Sequence, residues 1–349
     1  MFQDISLEEL RALKNRKQIT VIDVRSPSEY EDATVPGSLN IPLFNDQERA
    51  EVGTLYKQSS IQAAKERGLE IVSAKLPAFI KEFDAIKGDK VVFCWRGGMR
   101  SRTTATVLAL MDIHVYRLTG GYKAYRKWVL EELETYDFNP KPIVIHGNTG
   151  TGKTTLLHRL KLKGYPVLDL ENLAGHRGSI FGQIGLRPNN QKTFDSLLLE
   201  ELLTLKESPY ILFEAESKKI GKVVMPQFLA NEKQAGIQIR IEMPLEARVR
   251  QILEDYRPDE FKEQYITAFH SIKSRIHVPI AAEIERSLQA DSFAQAVALL
   301  LEHYYDPKYD HTSCQYEDTE KITLNVNNLD EAEAAVVSFL SGRTVNINI

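Results

Sequence analysis

Ile143-Val144-Ile145-His146-Gly147-Asn148-Thr149-Gly150-Thr151-Gly152-Lys153-Thr154 is the stretch from which the fold is read. Its three leading β-branched residues predict a buried strand, and the glycine-rich run behind them satisfies G-x-x-x-x-G-K-T. A strand that passes through such a loop into a helix aims the backbone amides from Gly150 to Thr154 at one diphosphate. Gly147, Gly150, Thr151 and Gly152 form the cradle, Lys153 neutralises its charge, and the Thr154 hydroxyl can bind Mg²⁺. The motif specifies a diphosphate, not a particular nucleotide. The helix should reach about Leu162, with Gly164 as its stop.

Further strands are expected at 167–170, 210–213, 238–242 and 322–326, which makes this half an α/β domain built on a parallel sheet. Asp169 and Glu171 are read as the end of one strand, and Glu214 and Glu216 as the end of another. Each pair is a candidate acidic partner for a metal, although acids at strand ends are also ordinary polar boundaries. The glycine-rich segment 175–191 reads as a long functional loop, and its His176 and Arg177 are candidates for substrate phosphate or RNA contacts.

Upstream of the polar stretch 134–141, strands and helices alternate again. The division is expected at 1–136 and 137–349. Ser6 with Glu9, and Ser26 with Pro27 and Glu29, carry helix-start signatures. Strands are expected at 20–24 and 114–118, and helices at about 101–111 and 122–133. Another strand ends at Cys94, in Val91-Val92-Phe93-Cys94-Trp95-Arg96-Gly97-Gly98-Met99-Arg100-Ser101. A cysteine between a strand end and a helix start can be surrounded by inward backbone amides. Gly97 and Gly98 permit that path, and Arg96 and Arg100 suit an oxyanion. Such a loop favours a nucleophilic thiolate at Cys94 and a tetrahedral anion above it. The bland alternative is a buried structural cysteine. Cys314 has no comparable surroundings and is read as inert.

The chain has 349 residues, enough for two cores, and is 43% hydrophobic and 26% charged, an ordinary globular profile. Its formal charge of −4 argues against whole-protein attraction to nucleic acid. Local basic clusters remain candidates: Arg117, Lys123, Arg126 and Lys127; Lys218, Lys219 and Lys222; Arg248, Arg250 and Arg257. No run approaches the length of a membrane span, and the N-terminus lacks a signal-peptide pattern. Two cysteines make no disulfide framework, which fits a reducing cytoplasm.

The first half resembles the rhodanese family. The resemblance rests on Ile22-Asp23-Val24-Arg25-Ser26-Pro27-Ser28-Glu29-Tyr30, on Val35-Pro36-Gly37-Ser38-Leu39-Asn40-Ile41-Pro42, and on Leu118-Thr119-Gly120-Gly121-Tyr122-Lys123-Ala124-Tyr125 with Trp128. Rhodaneses accept sulfur on the loop cysteine. Here the spacing is C-x5-R, wider than in common single-domain rhodaneses and shared with cysteine phosphatases, so a larger anion is implied. A rhodanese-like domain followed by a P-loop domain of the NTPase-like parallel-sheet kind resembles the tRNA 2-selenouridine synthase family. Leu170-Glu171-Asn172-Leu173-Ala174-Gly175-His176-Arg177-Gly178-Ser179 and Glu214-Ala215-Glu216-Ser217 carry this resemblance beyond the P-loop.

The resemblance implies a transferase acting on the wobble 2-thiouridine of tRNA. The base is first geranylated on sulfur by geranyl diphosphate. Selenium from selenophosphate then replaces the S-geranyl group. It also implies a selenophosphate-supplying enzyme as a partner and no membrane. Two other readings stand beside it: a cysteine-dependent phosphatase fused to a P-loop kinase, and a non-catalytic sulfur-relay adaptor.

Overall fold

The computed structural model describes residues 2–16, 19–179, 181–256, 259–308 and 321–342. Arg257 and Cys314 lie outside the described residues. The chain divides into two compact units, one of Met1–Thr135 with Asp195–Leu199, the other of Tyr136–Phe194 with Glu200–Ile349.

In the first unit β1 (Gln3–Ile5), β2 (Ile19–Asp23), β3 (Leu39–Asn40), β4 (Asp89–Phe93) and β5 (Tyr116–Leu118) form a parallel sheet in the order β1-β5-β4-β2-β3. Helix α1 (Leu7–Arg16) opens on reciprocal bonds between Ser6 and Glu9, of 2.7 and 3.1 Å. Helix α2 (Pro27–Asp32) opens on the Ser26–Glu29 capping box. Two longer helices, α3 (Asp46–Gln58) and α4 (Ile61–Asp84), fill a stretch that carries no motif. Asn45 and Ser60 cap them by accepting backbone N–H bonds. Val72, Phe79 and Phe83 of α4 enter the core formed by Ile22, Val92 and Leu108. Helix α5 (Met99–Leu110) follows β4, and α6 (Gly121–Glu134) follows β5.

In the second unit β6 (Lys141–Gly147) leads through the phosphate loop into α7 (Lys153–Leu162). Gly164, at φ +87°, follows the end of that helix. Strand β7 is only Val167–Leu168, shorter than the expected run to residue 170. The Asp169 carboxylate accepts the Asn172 N–H at 2.9 Å and starts α8 (Leu170–Ala174). Asp169 is therefore a helix cap and Glu171 a helical residue, not strand-end acids. Helix α9 (Gln191–Leu205) precedes β8 (Tyr210–Glu214), which ends on Glu214 and leaves Glu216 beyond it.

A short antiparallel hairpin, β9 (Lys219–Ile220) and β10 (Val223–Val224), and α10 (Gln227–Ala235) come before β11 (Ile237–Glu242). With β12 (Lys321–Asn325) the main sheet is parallel, in the order β12-β11-β6-β8-β7. Alternate residues Ile143 and Ile145, Ile237, Ile239 and Ile241, and Ile322 and Leu324 share one core with Leu156 and Leu160 of α7. Leu329, Ala332 and Val336 of a last helix, α15 (Leu329–Leu340), close that core. Between β11 and β12 lie α11 (Leu245–Tyr256), α12 (Lys262–His270), α13 (Val278–Gln289) and α14 (Phe293–Leu300), ending in a π-helical turn, Leu301–Tyr305. Tyr265, Phe269, Ile284, Leu288 and Leu300 give these helices a separate apolar core.

Candidate functional site

In the first unit Cys94 leaves the carboxyl end of β4, whose neighbours are β5 and β2. The residue is 3% exposed and belongs to the core cluster. Its Sγ lies 3.3 Å from the Ser101 hydroxyl, and that oxygen lies 3.3 Å from the Gly98 carbonyl. The loop is clamped from below. The N–H groups of Tyr122 and Lys123, in the first turn of α6, donate to the Cys94 and Trp95 carbonyls at 2.9 Å each. Gly97 has φ +62°, and a Cβ there would lie 2.8 Å from the Leu118 carbonyl oxygen. Glycine is therefore required at that position. Gly98 has open space around it and serves as the N-cap of α5.

The cations around this loop differ in kind. Arg96 is exposed. Arg100 is paired with Glu29, one of its bonds measuring 3.1 Å. Burial works against the Arg100 charge, but the Glu29 hydrogen bond and charge outweigh it, with Cys94 adding pull, so its pKa lies above the ordinary value. Arg117 donates to the Gly97 carbonyl at 3.1 Å and pairs with Asp4. The Asp4 hydrogen bond raises the Arg117 pKa against some desolvation, and Cys94 contributes in the same direction. Glu29 and Arg117 were not singled out as parts of this loop. In the sequence Glu29 reads as a capping acid within the rhodanese-like signature, and Arg117 as a strand residue in a basic cluster.

In the second unit the phosphate loop leaves the carboxyl end of β6, between β11 and β8. This is where open α/β sheets bind ligands. Gly150 and Gly152 take φ +87° and +71°, with Gly152 capping α7. Lys153 Nζ donates to the Gly147 carbonyl at 2.9 Å, and the Thr151 hydroxyl to the Asn148 carbonyl at 3.0 Å. The Thr154 hydroxyl donates to Glu171 Oε2 at 2.6 Å. That bond brings one acidic candidate to the loop. The loop opens on a cleft of about 620 Å³ lined also by Arg177, Glu216, Asp255 and Tyr256.

Of the other candidates, Glu216 and Arg177 line this cleft, and Asp169, His176 and Glu214 are not among its lining residues. Glu214 is fully buried, and its Oε2 accepts the Leu170 N–H at 3.3 Å. Burial and the neighbouring acids Asp169, Glu171 and Glu216 raise its pKa well above the carboxylate range. Asp169 is also buried and pairs with His158 at 2.5 Å. The His176 ring packs against Gly221 of the hairpin turn. A Cβ on that glycine would lie 2.7 Å from the ring. Burial lowers the His176 pKa and so favours the neutral ring. Arg177 lies 5.0 Å over the Tyr256 ring and donates to the Ile184 carbonyl at 3.2 Å.

Arg248, proposed within a basic cluster, is buried. It donates to the Thr149 carbonyl at 2.9 Å and binds Asp306 through two bonds of 2.9 and 2.7 Å. Asn148 reaches the same Asp306 at 3.1 Å, so Arg248 and Asp306 brace the phosphate loop instead of meeting a partner at the surface. No local motif marks Asp306, which comes next to this loop only through the fold.

The chain is similar to known proteins along most of its length. A family described as the tRNA 2-selenouridine synthase AAA domain matches residues 140–279, and the rhodanese-like domain matches residues 6–128. A tRNA 2-selenouridine synthase of Nitrosomonas europaea is 37% identical over 72% of this chain and 67% of its own length. That of Sulfurovum sp. (strain NBC37-1) is 32% identical over 90% of this chain and 93% of its own. That of Bdellovibrio bacteriovorus is 36% identical over 70% of this chain and 66% of its own.

Proposed function

The chain belongs to the tRNA 2-selenouridine synthase family, and from that premise we propose how its two anion sites divide the modification of a tRNA 2-thiouridine. The chain is a tRNA-modifying transferase that gives 2-selenouridine, with selenophosphate as selenium donor. In the proposed first step the thiocarbonyl sulfur attacks C1 of geranyl diphosphate. The C1–O bond breaks, diphosphate leaves with the electron pair, and the base loses its N3 proton. In the second step the selenium of selenophosphate bonds to C2 and the C2–S bond breaks. Geranylthiol leaves after taking a proton, and water cleaves the Se–P bond to release phosphate. Alkylation turns a poor leaving group into a good one, which is why the order cannot be reversed.

The phosphate loop serves the first step. Amides from Gly150 to Thr154, together with Lys153, hold the diphosphate and take up its charge as it departs. Thr154 and Glu171 would hold a Mg²⁺ ion, since one carboxylate and one hydroxyl beside a diphosphate suit its oxygen-rich, partly hydrated shell. When bound, the ion neutralises the leaving diphosphate. Cys94 serves the second step. Arg96 and Arg100, with the Gly97 and Gly98 amides, bind the selenophosphate oxygens. Glu214 and Asp169 shape the acidic floor beneath Glu171, Glu216 faces the cleft, and Arg177 takes a substrate phosphate. His176 fixes the loop to the hairpin. The reaction belongs in a reducing cytoplasm, next to an enzyme that makes selenophosphate.

The observation that carries this reading is the coexistence, in one chain, of a clamped cysteine loop and a phosphate loop whose Thr154 is bonded to Glu171. Nucleoside mass analysis of tRNA treated with purified variants tests it. Lys153→Ala should abolish S-geranylation. Cys94→Ala should leave S-geranylated nucleoside to accumulate while selenouridine is lost. Selenouridine formed at the normal rate by the Cys94 variant would remove that residue from the second step.

A further inference from the structure

The cleft at the phosphate loop has an apolar annex. A slot of about 50 Å³ is walled by Phe181, Ile252, Leu288, Phe293, Val297 and Leu300. Thr149, Ser179, Tyr256 and Tyr305 line both the slot and the cleft, so the two adjoin. The slot also shares a wall with the loop itself. Ile252 Cδ1 lies 2.8 Å from where a Cβ on Gly150 would stand. Its rim includes Tyr305, which ends the π-helical turn Leu301–Tyr305, and such turns recur at functional sites.

A phosphate loop usually faces a polar nucleoside pocket. Here the annex offers a nucleobase edge almost nothing to bond, and burying such an edge unpaired is unfavourable. An anionic head joined to a hydrocarbon tail satisfies both parts. We infer that the slot seats the far end of the prenyl tail and sets its length, with Leu288 and Val297 as the limiting walls. This rests on the reading of the phosphate-loop donor as a prenyl diphosphate. The slot is too small for a whole ten-carbon chain, so the carbons nearer the head lie in the wider cleft. A site that fixes the head at Lys153 and the tail end in a closed slot measures the distance between them.

The test is a donor panel. The full chain is given 2-thiouridine tRNA with dimethylallyl, geranyl or farnesyl diphosphate, and S-alkylated nucleosides are counted by mass. Val297→Phe fills the slot. It should lower geranyl relative to dimethylallyl transfer about tenfold or more, the worth of one or two carbons in an apolar pocket, with inorganic diphosphate competing as before. Leu288→Ala opens the slot and should raise farnesyl relative to geranyl transfer by a similar factor. The two variants push in opposite directions, so a folding defect in one leaves the other to decide. Wild-type transfer of geranyl with unchanged donor ratios in the folded variants would overturn the slot assignment alone. A wild-type chain that transfers no prenyl group would overturn the donor reading and the slot with it.

Discussion

At the scale of single residues, the acidic centre of the second unit gathers at one glycine. A Cβ on Gly178 would lie 2.7 Å from Glu171 Oε1 and 2.6 Å from Glu216 Oε2, so the two carboxylates converge on this position. Burial, then the Glu216 charge, push the Glu171 pKa up to about 8, and the Thr154 hydrogen bond only partly opposes this. The folded protein thus holds a proton on Glu171 that the unfolded chain gives up near the ordinary glutamate value. Stability from this group is complete below that value and is lost as pH rises through about 8. Urea unfolding without ligands should show wild-type stability falling between pH 5 and pH 8.5, by on the order of a few kcal/mol. Glu171→Gln, which stays neutral, should flatten that fall. An equal slope in both chains would mean that Glu171 is ionised throughout. If Mg²⁺ binds here it must displace the proton, so calorimetry in buffers of different ionisation enthalpy should record proton release on binding at pH 7.

At the scale of elements, the β9–β10 hairpin of the second unit presents exposed lysines. Gly221 and Lys222 make its two-residue turn, and Gly221 has φ +56°, the conformation such turns demand. Lys218, Lys219 and Lys222 are all exposed, and Glu216, in the segment between β8 and the hairpin, lines the cleft. Phosphate contacts by lysine add affinity that falls with salt. Replacing Lys219 and Lys222 by Glu should weaken tRNA binding and reduce the slope of log affinity against log salt by about two. Filter binding across a salt series reads both, and an unchanged slope would move the RNA-binding face elsewhere. The sequence announced the hairpin's lysines but not the hairpin, because four strand residues carry too short a period to read. It announced both loops because their chemistry is contiguous: Cys94 to Ser101, and Gly147 to Thr154. It misread Asp169 because Leu168-Asp169-Leu170 alternates like a strand, while the side-chain bond to Asn172 turns it into a cap. The helices α3 and α4, and the lobe α11 to α14, were silent because amphipathic packing without a motif names no partner.

At the scale of the whole molecule, each unit has its own parallel sheet, its own core and its own candidate anion loop at a strand's carboxyl end. Glu29 to Arg100, and Arg248 to Asp306, show why the sites were only half legible. Each loop is braced by residues far away in sequence. Two complete sites in two cores predict functions that can be lost separately. The proposed intermediate is an S-alkylated base, covalently part of a tRNA and free of an activated leaving phosphate, so it survives release into solvent. A Lys153→Ala chain lacks the first step and a Cys94→Ala chain the second. Mixed together with geranyl diphosphate and selenophosphate, they should restore selenouridine, at a rate that rises with the concentration of either chain. Neither alone should form it above a few per cent of wild type, which corresponds to about 2 kcal/mol of lost transition-state stabilisation or more. A mixture that stays silent while S-geranylated tRNA accumulates would mean that the intermediate passes between sites without leaving the chain that made it.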